Sequence, residues 1–218
     1  MTADVAVTDA FGPVPAGVGL RVALVRHGEA DASVRGRCCG SLDPPLSDDG
    51  RLQMQRTSRL LQRLAPVAVY ASPRRRALDS ARTLALAAPL VVDDRLREID
   101  FGVLEGLTYR EVENQYPDVW RRWMQTPVGV EFPQGERFDD FGARVGLVVA
   151  EMKARHRGDA IAIVAHGGVN RLILAQALGL DPDHMFRLQQ TYGAVSIIDY
   201  YDDEVVVQAM NALWLGTL

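Results

Sequence analysis

Three apolar runs in this chain stop abruptly at side chains able to do chemistry. LRVALVRHGE (20–29) ends in Arg26-His27-Gly28-Glu29, and AIAIVA (160–165) ends in His166-Gly167-Gly168. VAVYA (67–71) passes into Ser72-Pro73 and then Arg74, Arg75 and Arg76. Short apolar runs bounded by turn residues read as buried strands. In open α/β sheets, reactive groups gather beyond the carboxyl ends of such strands. Side by side, these three would bring two imidazoles, His27 and His166, and two guanidiniums, Arg26 and Arg76, to one rim. Helices expected after Ser72 and after Gly168 would add backbone N–H groups aimed into the same space. Glycine at 28, 167 and 168 would let the backbone approach a bound group closely. Guanidiniums and helix N-termini around imidazoles describe a phosphate site.

The chemistry follows from those residue types. A neutral imidazole is a good nucleophile toward phosphorus, and arginines stabilise charge developing on the transferred oxygens. An alkoxide leaving group needs a proton, so a carboxylic acid should stand opposite. Glu98, set among apolar residues that would favour its protonated form, is the first choice and Asp100 the second.

The elements that must position these groups can be read in order. A loop rich in Gly, Asp, Arg and Pro spans Ala30 to Pro45. Ser47 reads as an N-cap, with Asp48 and Asp49 in the first turn of a helix reaching about Leu64. Leu52, Leu60, Leu61 and Leu64 fall toward one side of it, and Pro66 ends it. Ser72-Pro73 repeats the pattern of an N-cap followed by proline at the first helical position, opening a helix to about Ala88. Leu90 to Val92 is a further strand, and Leu96 to Gly106 is loop-like. Thr108 and Glu111 have the spacing of a capping box, opening one or two short helices as far as about Met124. The prolines and glycines of 126–135 mark a connecting loop, which with the stretch from Leu104 is the expected place for the leaving-group pocket. Helices over Phe138 to His156 and Val169 to Leu178 follow, and the chain closes with strand-like runs at Ala194 to Tyr200 and Val205 to Met210. Alternating strands and helices predict a single α/β domain over 20–218, a three-layer α/β/α sandwich on a mostly parallel mixed sheet. Residues 1–19 read as a flexible N-terminal extension.

Composition narrows the partners. At 218 residues the chain can bury a core of its own, and its 48% apolar and 24% charged content is ordinary for a soluble protein. A net charge of −4 argues against a general nucleic-acid binder. Lys153 is the only lysine and precedes alanine, so there is no Walker A motif; the histidines lack zinc-ligand spacing. No metal and no cofactor is expected. Cys38 and Cys39 are adjacent, read as free thiols, and point to a reducing, cytoplasmic setting. A cysteine phosphatase would need an arginine six residues on, where Pro44 and Pro45 stand. His156 near a helix C-terminus and His184 in a polar turn read as structural, and Arg74 and Arg75 as a solvated helix face. No run approaches the roughly 18 apolar residues of a membrane span, and nothing at the N-terminus reads as a signal peptide. The expected partner is a small phosphomonoester, with no nucleic acid and no membrane; a homodimer is left open.

Arg26-His27-Gly28-Glu29 resembles the signature of the histidine phosphatase superfamily, which includes cofactor-dependent phosphoglycerate mutases. The resemblance covers nearly all of the chain after residue 20. SPRRRALDSA is similar to that family's second motif, LREIDFGVLEG to its acidic motif, and VAHGG to the segment of its second histidine. The resemblance implies that His27 is transiently phosphorylated, that Arg26, Arg76 and His166 hold the phosphoryl group, and that Glu98 protonates the leaving oxygen and then activates water. It further implies phosphate-rim and substrate contacts from Gly28, Glu29, Ser33, Cys39, Gly40 and Gly167. Three positions depart from the pattern: Ser33 stands where asparagine is common, Ala30 where serine or threonine is, and Leu104 where an aromatic is usual. The short span from Gly106 to Phe138 favours a phosphatase over a mutase, with α-ribazole phosphatase and phosphoglycerate-type phosphatases equally similar. A mutase, and a non-catalytic phosphate-binding module, are the alternatives.

Overall fold

The computed structural model describes residues 10–214. Strands β1 (Leu20–Arg26), β2 (Ala68–Ala71), β3 (Leu90–Val92), β4 (Asp159–Ala165), β5 (Val195–Tyr200) and β6 (Val205–Ala212) form one sheet in the order β3-β2-β4-β1-β5-β6. The first four in that order run parallel, while β5 and β6 are antiparallel to their neighbours. Helices α1 (Asp48–Leu61) and α2 (Arg75–Thr83) pack on one face, α5 (Phe138–Arg155) and α6 (Gly167–Ala177) on the other. Alternate β1 residues explain the two cores: Leu20, Val22 and Leu24 join one apolar cluster, Ala23 and Val25 the other. The expected three-layer sandwich on a mostly parallel mixed sheet is what forms. Short helices α3 (Tyr109–Gln115) and α4 (Pro117–Gln125) lie between β3 and α5. The Thr108–Glu111 capping box opens α3, with both reciprocal hydrogen bonds made.

Several expected boundaries move, each for a local reason. The first helix stops at Leu61, short of Leu64, and Ala65 takes a positive φ before Pro66. Its buried residues are Gly50, Met54, Thr57 and Leu61, whereas Leu52 is exposed. The helix after Ser72 begins at Arg75, not at Pro73, and ends at Thr83, not Ala88. Ser72 Oγ lies 2.7 Å from His166 Nε2 and accepts the Arg74 N–H (3.3 Å), while Asp43 accepts the Arg75 N–H (2.6 Å). Helix α6 starts at Gly167, two residues before the expected Val169.

Residues 1–9 lie outside the described residues. In the described part of the expected extension, Ala10, Phe11 and Val18 are buried, while Pro13 and residues 15–17 are exposed. Arg21, itself buried, forks onto Asp199 (2.7 and 2.6 Å) and also donates to the carbonyls of Gly12 and Pro13, tying the segment to the sheet. No helix among the described residues is long and apolar enough to cross a membrane.

Candidate active site

Register places the histidines. β1 and β4 pair in parallel with Arg26 opposite Ala165, so the next residues, His27 and His166, leave the sheet side by side. The His27 N–H donates to Ala165 O (3.0 Å), and the two ring centroids are 5.1 Å apart, edge to face. β2 and β4 pair with Ala71 opposite Val164, which brings Ser72 beside His166; Ser72 Oγ lies 2.7 Å from His166 Nε2.

His27 is 5% exposed and lines a cavity of about 290 Å³ together with Arg26, Arg76, Glu98, Cys39 and Gly167. Its Nδ1 is 2.7 Å from Gly28 O. A carbonyl only accepts, so Nδ1 carries the proton and Nε2 is left with the lone pair. Burial pushes the His27 pKa well below the ordinary value of 6.5, and the charges of Arg76 and Arg26 push the same way against the Gly28 hydrogen bond. His166 is 1% exposed and stands behind His27 without lining the cavity. Burial, with the charges of Arg76, His27, Arg26 and Arg74, lowers its pKa likewise, and its Nδ1 has no partner among the described residues.

Arg76 is 1% exposed and donates to the carbonyls of Leu42 (2.7 Å), Cys39 (2.8 Å) and Gly40 (3.3 Å). The loop that supplies them is held from behind by Glu105, which accepts the N–H groups of Gly40, Ser41, Leu42 and Phe101. Arg26 lies with Cζ 3.9 Å from the Tyr192 ring centroid and donates to Gln190 O (2.5 Å). Glu98 accepts the Gly168 N–H (2.9 Å) and the Ile99 N–H (3.1 Å). A Cβ on Gly168 would stand 2.3 Å from Glu98 Oε1, so glycine leaves the carboxylate its present place.

The expected site residues therefore divide. Arg26, His27, Arg76, Glu98, Cys39 and Gly167 line the cavity, with His166 directly behind. Gly28, Glu29, Ser33 and Gly40 do not line it. Gly28 orients His27 and donates its N–H to Ser80 Oγ (3.0 Å). Glu29 pairs with Arg35, Ser33 is exposed in a short 3₁₀ turn, and Gly40 is wedged against Ile99 O, which a Cβ would meet at 1.8 Å. Asp100 caps the Gly102 N–H (2.9 Å) and is out of the cavity. One N–H at each expected helix N-terminus is taken from within the chain: Asp43 accepts that of Arg75 at the start of α2, and Glu98 accepts that of Gly168. The same contact places backbone donors, not apolar side chains alone, around the Glu98 carboxylate. Arg75 is exposed as expected, whereas Arg74 is half-buried and its charge reaches His166. Burial pushes the Cys38 thiol up to about 12 and raises Cys39 as well, which disfavours thiolate chemistry at either.

Sequence reasoning missed Tyr192, Arg171, Phe186 and Glu105. Of the expected leaving-group window, only Tyr109 and Trp123 reach the cavity; much of the remaining wall is Ile99, Phe101, Phe138, Phe141, Met185 and Phe186.

A mostly parallel α/β sandwich that gathers two imidazoles and two guanidiniums at one rim is an arrangement suited to handling phosphate. A sequence profile of the histidine phosphatase superfamily, branch 1, matches residues 22–213, and the chain belongs to that family. It is 35% identical over 190 residues to a bifunctional protein of Mycobacterium tuberculosis, covering 86% of this chain and 52% of the other, and so spans about half of that relative's length. It is 31% identical over 194 residues to phosphoserine phosphatase 1 of Hydrogenobacter thermophilus, covering 88% and 92% of the two chains. Among solved structures, the α-ribazole phosphatase of Shigella flexneri superposes with a TM-score of 0.79 at 27% identity, over 91% of this chain and 99% of that one. A mycobacterial glucosyl-3-phosphoglycerate phosphatase complexed with VO3 gives 0.78 at 28%, over 88% and 98%.

Proposed function

We propose that this protein is a phosphomonoesterase that hydrolyses a small phosphorylated metabolite through a phosphohistidine on His27, without a metal. The observation that carries this reading is the hydrogen bond from His27 Nδ1 to Gly28 O, which leaves Nε2 as the basic nitrogen in a cavity shared with Arg26, Arg76 and Glu98. Nε2 attacks phosphorus, the bond from phosphorus to the alcohol oxygen breaks, and Glu98 gives that oxygen its proton. Glu98, now a carboxylate, takes a proton from water as the water attacks; the P–N bond breaks, inorganic phosphate leaves and Nε2 recovers its lone pair. Arg26 and Arg76 supply positive charge to the equatorial oxygens, and His166, behind His27, supports the same group. The phosphatases named among its relatives and structural neighbours support this assignment.

The test incubates the purified chain with a panel of phosphomonoesters and follows free phosphate and isomerised product. Phosphate release that is lost in His27→Ala supports the proposal. Isomerisation without release would make the protein a mutase, and absence of both would leave a phosphate-binding module.

A further inference from the structure

His27 is braced from behind by α1, a helix that supplies no residue to the cavity wall. Gln53 and Thr57 stand one turn apart on it, and each hydrogen-bonds a segment that flanks the nucleophile. Gln53 Oε1 accepts the Glu29 N–H (2.8 Å). Thr57 Oγ1 donates to Gly193 O (2.6 Å), and the Gly193 N–H donates to Arg26 O (3.1 Å). Backbone meets backbone between them: a Cβ on Gly28 would stand 2.4 Å from Gly50 O, and one on Gly50 would stand 2.1 Å from Glu29 O. Glu29 O itself accepts the Ser47 N–H (3.0 Å) and lies 3.1 Å from Ser47 Oγ, at the start of α1.

The Gln53 contact is set apart by the peptide it holds. The planar unit between Gly28 and Glu29 carries Gly28 O on one side and the Glu29 N–H on the other. Gly28 O takes the proton of His27 Nδ1 (2.7 Å), and the Glu29 N–H goes to Gln53. Imidazole, peptide and carboxamide therefore stand in one file of two hydrogen bonds. A peptide whose N–H donates is polarised, and its oxygen becomes the better acceptor. Ser80 takes the Gly28 N–H (3.0 Å), which belongs to the preceding peptide. The second histidine has no such backing: His166 Nδ1 is without a partner among the described residues.

We infer that Gln53 is a positioning residue for the nucleophile: it fixes and polarises the Gly28–Glu29 peptide, and so keeps the His27 proton on Nδ1 and the lone pair on Nε2. This rests on the phosphomonoesterase assignment above, in which Nε2 attacks phosphorus. Without the Oε1 acceptor, Gly28 O is a weaker and looser partner, and the imidazole divides its proton between its two nitrogens. A neutral ring protonated on Nε2 has no lone pair there to attack with.

The experiment pairs nitrogen NMR of isotope-labelled histidines, which distinguishes the two neutral tautomers, with turnover of p-nitrophenyl phosphate; His27→Ala assigns the His27 signals. Gln53→Leu should turn the single Nδ1–H form of the wild type into a mixture and lower kcat/KM about 3- to 10-fold, the range of one neutral hydrogen bond. Competitive inhibition by inorganic phosphate should change less than about 2-fold, because Arg26 and Arg76 are untouched. Gln53→Glu keeps an acceptor at the same reach and should hold both the tautomer and most of the rate. Ser58→Ala removes another hydrogen bond of α1, to Leu84 O (2.6 Å), and should lower stability while leaving the His27 signals and the rate as they are. An unchanged tautomer in Gln53→Leu overturns the inference even if the rate falls, since a fall alone reports general loosening. So does a mixed tautomer at full rate, and so does an equal mixture in Ser58→Ala or in Gln53→Glu. If Gln53→Leu does not fold, Gln53→Met, of similar length without an amide oxygen, takes its place. Each of these outcomes leaves the phosphatase standing. Absence of phosphate release from the wild type removes that assignment, and the inference with it.

Discussion

His27 commits each ring nitrogen to one task. Nδ1 is pinned to Gly28 O, and Nε2 stays unprotonated because burial and two guanidiniums disfavour the imidazolium. The sign of the pH dependence follows. A histidine pKa lowered by folding keeps the imidazole neutral, and so nucleophilic, below the ordinary value of about 6.5. The expected outcome is that kcat/KM stays level or rises as pH is lowered from about 8 to about 6.5, with no acid limb centred on an unperturbed histidine. A loss of rate with a midpoint near 6.5, measured with the substrate's own ionisation taken into account, would count against His27 in this role. A rate still climbing at about pH 9 would count against Glu98. The same shifts in His27 and His166 bear on stability. The unfolded chain takes up protons below about pH 6.5 that the folded chain refuses, so the stability present above that pH is lost as pH falls below it.

At the scale of elements, the loop over 39–42 is a relay between opposite charges. Its carbonyls face the Arg76 guanidinium and its N–H groups face the Glu105 carboxylate. Glu105 is thus a positioning residue for Arg76. Glu105→Ala should cost about 2 kcal/mol or more in urea unfolding, through donors left unpaired, and weaken competitive inhibition by inorganic phosphate about 10-fold. An unchanged inhibition constant would separate Glu105 from the site. This relay was not legible in the sequence, where Glu105 reads as one acid in a loop and its partners lie far upstream. The strand ends were legible, because a parallel sheet sends its carboxyl ends to one side and each run ends in a reactive residue. The start of α2 was not, because the Arg75 N–H is taken by Asp43, 32 residues upstream, where the local Ser72-Pro73 pattern gives no sign of it. Arg171 and Tyr192 carried no local signal at all: each is one residue whose meaning comes from where the fold brings it. The capping box at Thr108 was legible because both partners lie within one turn.

At the scale of the molecule, the site exists because one mixed sheet aligns β1, β2 and β4, and that sheet is tied across β1 and β5 by a buried ion pair. Arg21 and Asp199 are almost wholly enclosed, and Asp199 also accepts from Gln208 (3.0 Å). Asp199→Ala would strand the guanidinium, release the N-terminal segment held at Gly12 and Pro13, and lower stability by about 3–5 kcal/mol in thermal or urea unfolding. A change under about 1 kcal/mol would show that Arg21 finds its partners elsewhere. At the rim the sheet brings His27, Arg26 and Arg76 to one cavity, which the proposed function fills with a tetrahedral phosphoryl group. The measurement that tests this most directly is covalent: Glu98→Gln, slowed in the water step, is mixed with p-nitrophenyl phosphate, whose phenolate leaves without a proton from Glu98, quenched in alkali and mapped by peptide mass spectrometry. A single phosphoryl group on the His27 imidazole is the expected result. Phosphate release by the wild type with the phosphoryl group found on another residue would contradict it.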